Sequence, residues 1–401
     1  MTKLKATVQP SVLIWARKSA GLDLAAASSK LAMDETTLAK WELGESAPSI
    51  PQLRKVAELY KRPLAVLYLS EPPDGFQPLR DFRRLPGSSM ASVDSAIVIE
   101  ERRSRQRREL ALELAADMDE VVPRFVAVAS LDEDPEAVGE RVREELGVSV
   151  TEQATWRDSE GREAFNAWRG RIEGEGVLVF QSDKFSAAEA SGFAIWEDHA
   201  PIIVVSRKGT HARRKTFSLL HEFAHLMLRA SGVSDMDIDG DTTRPPEEQR
   251  VEVFCNAVAA AALMPRAHLL SHPVVLRHPS DQAQWSDDEL REVSRNFGTS
   301  REALLRRLLT LGKTTRAFYR DSRDRFEREW EESRAKQRAG NPDGIPRNMP
   351  QEALGNLGRP LVGRVMDQYH QQQLSLSEVA GYLGLKTKHV SRVEQLLRSR
   401  G

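Results

Sequence analysis

His221 and His225, separated by Glu222-Phe223-Ala224, are the residues of this sequence best spaced for chemistry. They sit in KTFSLLHEFAHLMLRA (215–230), a run with apolar residues at helical spacing and no glycine or proline. Four residues apart on a helix, the two imidazoles share one face, with Cβ atoms about 6 Å apart. Such a pair can hold one Zn2+ ion, and Glu222 between them is then the general base that takes a proton from the attacking water. A catalytic zinc needs a third protein ligand and an open fourth position. The segment PPEEQRVEVFCNAVAAAALMP (245–265) offers one. After Pro245-Pro246 it reads as a helix from about Glu247 to Leu263, stopped at Met264-Pro265, and its alanines let it pack closely on the first helix. Glu252 and Asn256 are polar at i and i+4 on a face of otherwise small residues. An acid inside a helix–helix interface is costly unless paired or metal-bound. Glu252 therefore reads as the third ligand; the plain alternative is a solvated face shared with Glu247 and Glu248. Cys255, next to Asn256, reads as a small hydrophobe.

The chemistry that follows is metal-assisted hydrolysis. Zinc lowers the pKa of water toward neutrality, while Glu222 accepts a proton during attack on a peptide carbonyl and passes one to the leaving amine. A further oxyanion donor is expected, and spacing does not choose among Tyr319, His211, His199 and His268. The strand-like runs PIIVVS and GFAIWE suggest an antiparallel sheet beside the zinc helix, with an edge able to hold an extended peptide by main-chain pairing.

The elements that must position these residues come from a chain of 401 residues and 45.0 kDa, a length for two to four domains. Its 58 Lys+Arg and 59 Asp+Glu leave a net charge of −1, so any nucleic-acid surface must be local. One cysteine excludes an internal disulfide framework and fits a reducing, cytoplasmic setting. No apolar run of about 18 residues exists, which excludes a membrane-spanning helix. The basic start is followed by too short an apolar run for a signal-peptide core.

Punctuation by proline and glycine marks the pieces. Residues 8–70 read as five short helices, ending at EPPDGFQP (71–78). Val12, Ile14 and Trp15 give the first an apolar face, and Leu24 to Leu31 forms the second. Asp34 is placed to cap a third, TTLAKWELG, which Gly44 ends. Two helices joined by a short turn put the start of the second into a DNA major groove. Thr36, Thr37 and Lys40, exposed there, can reach phosphates and base edges. The plain alternative is an interaction domain whose threonines and lysine are merely solvated.

The run GLDLAAASSKLAMDETTLAKWELGESAPSIPQLRKVAELYKRPLAVLYL resembles the XRE-type (Cro/C1) helix-turn-helix family. The likeness is carried by Leu22 to Leu24, Leu31, Leu38, Trp41-Glu42, Gly44, Pro48 and the helix Leu53 to Tyr60. Residues 165–312 resemble the ImmA/IrrE family of zinc metallopeptidases through five blocks. These are GVLVFQ (176–181), ASGFAIWEDHAPIIVVS (190–206), FSLLHEFAHLML (217–228), EVFCNAVAAAALMP (252–265) and FGTSREALLRRLLTLG (297–312). The resemblance implies His221, His225 and Glu252 as metal ligands and Glu222 as general base.

The fold expected is α+β and mostly helical. It comprises an N-terminal five-helix, lambda-repressor-like piece (8–70), a linker and helical connector (71–164) and a zincin-like peptidase with a small antiparallel sheet (165–312). A charged helical linker (313–345) and a C-terminal helical, helix-turn-helix-like piece (346–401) follow. ERRSRQRREL (101–110), with Arg102, Arg103, Arg105, Arg107 and Arg108, is either a phosphate-binding section or a helix face balanced by Glu100, Glu101 and Glu109. In LSLSEVAGYLGLKTKHVSRVEQLLRSR the cadence helix, turn, helix returns, for contact with DNA, dimerisation or packing on the peptidase.

Together the resemblances imply a DNA-associated zinc endopeptidase that regulates transcription by cleaving a partner repressor, in response to stress, DNA damage or mobile-element signals. Its own helix-turn-helix would deliver it to the DNA of its substrate. Single-stranded DNA as activator and a homodimer are both compatible with this. The alternative is a transcriptional regulator, or an antitoxin-like protein, whose peptidase fold serves only as sensor or dimerisation body.

Overall fold

A computed structural model describes residues 6, 8–73, 80–81, 95–156, 161–187, 189–234, 246–278, 284–340 and 347–398. Most of the proline-rich stretch 71–78, Pro245 and most of the breaker 340–350 lie outside the described residues. The chain divides into two compact units, one of residues 1–81 and 85–106, the other of residues 82–84 and 107–401.

The smaller unit holds α1 (Pro10–Lys18), α2 (Leu24–Lys30), α3 (Glu35–Glu42), α4 (Ile50–Leu59) and a final 3-10 turn, Leu64–Tyr68. The fifth helix forms as a five-residue 3-10 turn rather than an α-helix. α1 buries Val12, Leu13 and Ala16, while Ile14 and Trp15 are only half-buried, which shifts the apolar face read from the sequence. Leu38 and Trp41 of α3 join Leu53 and Val56 of α4 in the same core. Arg17 clamps α3 to α1 through a two-pronged bond to Glu42 at 2.7 and 2.8 Å. Gly44 follows α3 at a φ of 75°, the left-handed geometry that glycine supplies at helix ends. Asp34 occupies the N-cap of α3 without a side-chain bond to it, whereas Asp23 caps α2 by accepting from the Ala26 amide.

The basic section lies in α5 (Ser95–Asp117). Arg103 pairs with Glu100 at 3.5 Å and Arg105 with Glu101 at 3.2 Å. Arg108 donates to the carbonyl oxygens of His199 and Ala200 at 2.9 and 3.1 Å. These arginines are taken up by neighbouring carboxylates and carbonyls, as the balanced-face alternative expects.

In the larger unit α6 (Pro135–Glu145), α7 (Val150–Gln153), α8 (Arg162–Gly174), α9 (Ala212–Met227) and α10 (Pro246–Leu263) surround one core. The segment read as a connector thus contributes core residues, Val138, Val142 and Leu146 among them. Four strands of this unit form a sheet: β1 (Leu178–Ser186), β2 (Gly192–Ile195), β3 (Ile202–Lys208) and β4 (Gly232–Ser234), in the order β4-β2-β3-β1. β2 and β3 are antiparallel as expected, with Phe193 opposite Val204, but β1 runs parallel to β3. The sheet is therefore mixed rather than antiparallel. The chain reverses twice between β1 and β3, and β2 already holds one side of β3. β2 and β3 are both interior strands, so neither offers the peptide-binding edge read from their sequence.

α10 lies against both α9 and α6. A Cβ built on Gly139 of α6 would stand 2.5 Å from the Ala261 Cβ and 2.8 Å from the Ala262 amide nitrogen. The alanine run thus serves α6 as well as α9. The carbonyl end of α10 is closed by side chains from elsewhere. Arg143 donates to Ala262 at 2.7 Å and to Gln153 Oε1 at 2.6 Å. Gln153 donates in turn to Leu263 at 3.0 Å, and Arg307 to Met264 at 3.1 Å. Burial brings the Arg143 guanidinium down to about 10, which leaves it charged at neutral pH beside the negative end of the helix dipole. Arg143→Ala should cost about 3 kcal/mol, because buried carbonyls lose a charged donor. A chemical-denaturation midpoint equal to that of the parent chain would contradict this role.

Beyond α10 come α11 (Arg266–Leu270), α12 (Pro273–Leu276), α13 (Asp287–Asn296), α14 (Arg301–Thr310) and α15 (Arg316–Gly340). Tyr319 and Phe326, seven residues apart on one stripe of α15, enter the central core. The stretch read as a linker is thus partly core; its charge pattern reports its outer face. The C-terminal piece contains α16 (Met349–Leu357), α17 (Arg359–His370), α18 (Leu376–Tyr382), a 3-10 turn at Thr387–His389 and α19 (Val390–Arg398). It fastens to the body through α16 and α17. The Gly355 carbonyl accepts from Arg169 at 2.6 Å and Gln181 at 2.8 Å, and Arg364 pairs with Glu120 at 2.6 Å. Since α16 lies along β1, that side of the sheet is covered.

Candidate metal centre

His221 and His225 come from the buried face of α9, which packs on β2 and β3, and Glu252 comes from α10. His211 caps the start of α9 by accepting from the Arg214 amide, and Thr216 bonds back to the Ala212 carbonyl at 3.1 Å. The seven residues from Leu219 to His225 are all buried. The helix is therefore fixed on all sides where the imidazoles emerge.

The three side chains converge. One ligand atom from each of His221, His225 and Glu252 lies within 4.8 Å of the others. The two imidazole Nε2 atoms are 3.1 Å apart. Glu252 stands 3.1 Å from His225 Nε2 through Oε1 and 3.5 Å from His221 Nε2 through Oε2. In a tetrahedral site with bonds of about 2.1 Å, neighbouring donors stand about 3.4 Å apart. Two imidazole nitrogens and one carboxylate at this spacing are the donor set of a zinc site, so the residues fit such an ion. Burial alone would raise the Glu252 carboxyl. The charges and hydrogen bonds of His221 and His225 outweigh it and bring it down to about 2. The Glu252 carboxyl is thus ionised at neutral pH.

Glu222 is 0% exposed. Strand β2 explains how it is seated. A Cβ on Gly192 would lie 3.0 Å from Glu222 Oε1, 3.2 Å from its Cγ and 2.5 Å from the Val204 carbonyl oxygen. Only glycine allows the strand to pass this close to the carboxylate. Sequence reasoning missed Gly192; a glycine inside the apolar strand SGFAIW was the available signal.

Cys255 is fully buried and belongs to no group of metal-ligand side chains among the described residues. Burial, together with the charges of Glu252 and Glu222, pushes its thiol well up. The four candidate oxyanion donors each have another setting. Tyr319 donates to Glu302 at 2.7 Å, His211 is the cap of α9, and His199 Nδ1 meets the Val122 carbonyl at 3.1 Å. His268 is exposed on α11.

The residues assigned to DNA lie in the smaller unit. Thr36 and Lys40 are exposed on α3, while Thr37 is half-buried and so less open than expected. Among the described residues no helix is long and apolar enough to cross a membrane.

No curated protein and no solved structure matches the chain. Residues 172–309, which contain His221, Glu222, His225 and Glu252, match the family model of the IrrE N-terminal-like domain. Residues 13–67 match that of a helix-turn-helix family. The chain is thus similar to a helix-turn-helix family over its N-terminal piece and to the IrrE N-terminal-like domain over the part that holds the three converging side chains.

Proposed function

We propose that this chain is a zinc-dependent metalloendopeptidase that regulates transcription by cutting a partner repressor. The observation that carries the reading is the convergence of His221, His225 and Glu252, all buried, at the donor spacing of a tetrahedral zinc. Zinc held there supplies Lewis acidity at neutral pH. Glu222 takes the proton of the attacking water and returns it to the leaving amine. Gly192 keeps that carboxylate seated against β2, and Glu252 supplies the charge that balances the cation. The helix-turn-helix brings the enzyme to the DNA where its substrate is bound, raising the local concentration.

The test uses the full chain and, as substrate, any repressor found to be encoded beside it. A zinc chelator should stop cleavage and stoichiometric zinc should restore it. Unchanged cleavage after the metal is removed contradicts the metal chemistry. An absence of cleavage together with tight duplex binding favours a regulator whose peptidase fold is a sensor or dimerisation body.

Gly192→Ala should lower turnover about 10–100-fold with zinc content unchanged, because small displacements of a catalytic group are expensive. Parent-like turnover in this variant would show that the strand does not position Glu222.

A further inference from the structure

The C-terminal α18 and the run from the 3-10 turn Thr387–His389 into α19 follow α2 and α3 in register, the turn standing where α3 begins. α2 and α18 are both seven-residue helices, and each is capped by a side chain that accepts from an amide three residues on, Asp23 from Ala26 and Ser375 from Glu378. Each ends on a leucine, Leu31 or Leu383, followed by a residue at positive φ, Ala32 at 51° and Gly384 at 65°. The next amide then reaches back to the preceding helix: Met33 to the Ser28 carbonyl at 3.0 Å, Leu385 to the Ala380 carbonyl at 2.8 Å. Continuing in step, the buried Leu38 and Trp41 are matched by the buried Val390 and Val393.

When inward positions coincide in this way, outward ones coincide too. The exposed Thr36 and Lys40 of α3 are matched by the exposed Lys388 and Arg392. The two faces differ in charge. Asp34 and Glu35 stand beside Thr36, whereas residues 386–393 carry Lys386, Lys388 and Arg392 and no acid. Arg392 rests on Gln395 at 2.7 Å, a neutral partner, with no ion pair to a carboxylate among the described residues. The piece is held to the body through α16 and α17, which leaves Lys388, Ser391, Arg392 and Gln395 exposed.

We propose that α18 and α19 form a second duplex-DNA-binding head, in which α19 enters a major groove and Lys388 and Arg392 contact phosphates. The repeated turn sets the geometry, and the cationic face complements a polyanion. This rests on the helix-turn-helix reading of α2 and α3, and it is independent of the peptidase reading. With more cations than α3 presents, the second head carries the more salt-sensitive, less sequence-selective share of binding.

The experiment is fluorescence anisotropy of a labelled duplex of arbitrary sequence, across a salt series, with the full chain. Lys388→Ala with Arg392→Ala should weaken binding about 10-fold or more and reduce the log–log salt slope by about two, near one per lost phosphate contact. Lys388→Arg with Arg392→Lys should restore both, which separates charge from folding. Thr37→Ala with Lys40→Ala tests the N-terminal head separately. If that pair abolishes binding while the C-terminal alanine pair matches the parent in affinity and slope, the second head is overturned and the first stands. If only the C-terminal pair loses binding, the second head stands and the N-terminal assignment falls. A C-terminal pair that alters sedimentation mass yet leaves duplex binding intact overturns the proposal in favour of a contact between copies.

Discussion

Glu222→Gln should keep one zinc per chain and lower peptide-bond turnover by about 10³–10⁴-fold. The amide is nearly the size of the carboxylate, so the contact with Gly192 and the packing of α9 survive. What is lost is the ability to take a proton. Turnover is measured on the repressor substrate with metal content determined on the same sample. A fall in both would show that Glu222 helps to hold the site together. Near-parental turnover with full zinc would place the base on another side chain.

Glu252→Ala should act one step earlier. It removes the only carboxylate of the three-residue cluster proposed to hold zinc, leaving two imidazoles on α9. Losing an outer-shell partner already costs 10–100-fold in metal affinity, so losing a direct ligand should cost more than about 100-fold. Turnover should disappear with the metal and return only partly in excess zinc. Glu252→Asp, which keeps the charge on a shorter arm, should bind zinc with intermediate affinity. The readout is competition with a chromophoric chelator. Parental affinity in the alanine variant would remove Glu252 from the ligand set and with it the role of α10 in the chemistry.

Much of this centre was legible in the sequence because helical geometry is local. The spacing of His221 and His225 fixes their common face. The cost of burying an acid pointed to Glu252 from an alanine-rich helix with clear stop signals at either end. The first helix-turn-helix was legible for the same reason, with Gly44 marking the end of α3.

What was not legible depends on contacts far apart in the chain. Gly192 reaches Glu222 only because β2 crosses α9, and nothing in SGFAIW states which side chain passes over it. The closure of α10 by Arg143 and Gln153 joins segments more than 100 residues apart, and Arg307 reaches it from 43 residues away, so no local pattern announces it. Strand order is likewise non-local. Both PIIVVS and GFAIWE are short apolar runs that read as strands, yet their interior places follow from β1 and β4 pairing outside them. The cadence of the C-terminal piece was visible, whereas its register with α2 and α3 appeared only when Gly384 took the geometry of Ala32.

Crystals of the full chain grown with zinc, measured on both sides of the zinc absorption edge, test the central claim most directly. A single anomalous peak about 2.0–2.2 Å from His221 Nε2, His225 Nε2 and a Glu252 carboxylate oxygen is the result expected. A peak bound elsewhere, or Glu252 turned away from the two imidazoles in the zinc-loaded protein, would contradict it.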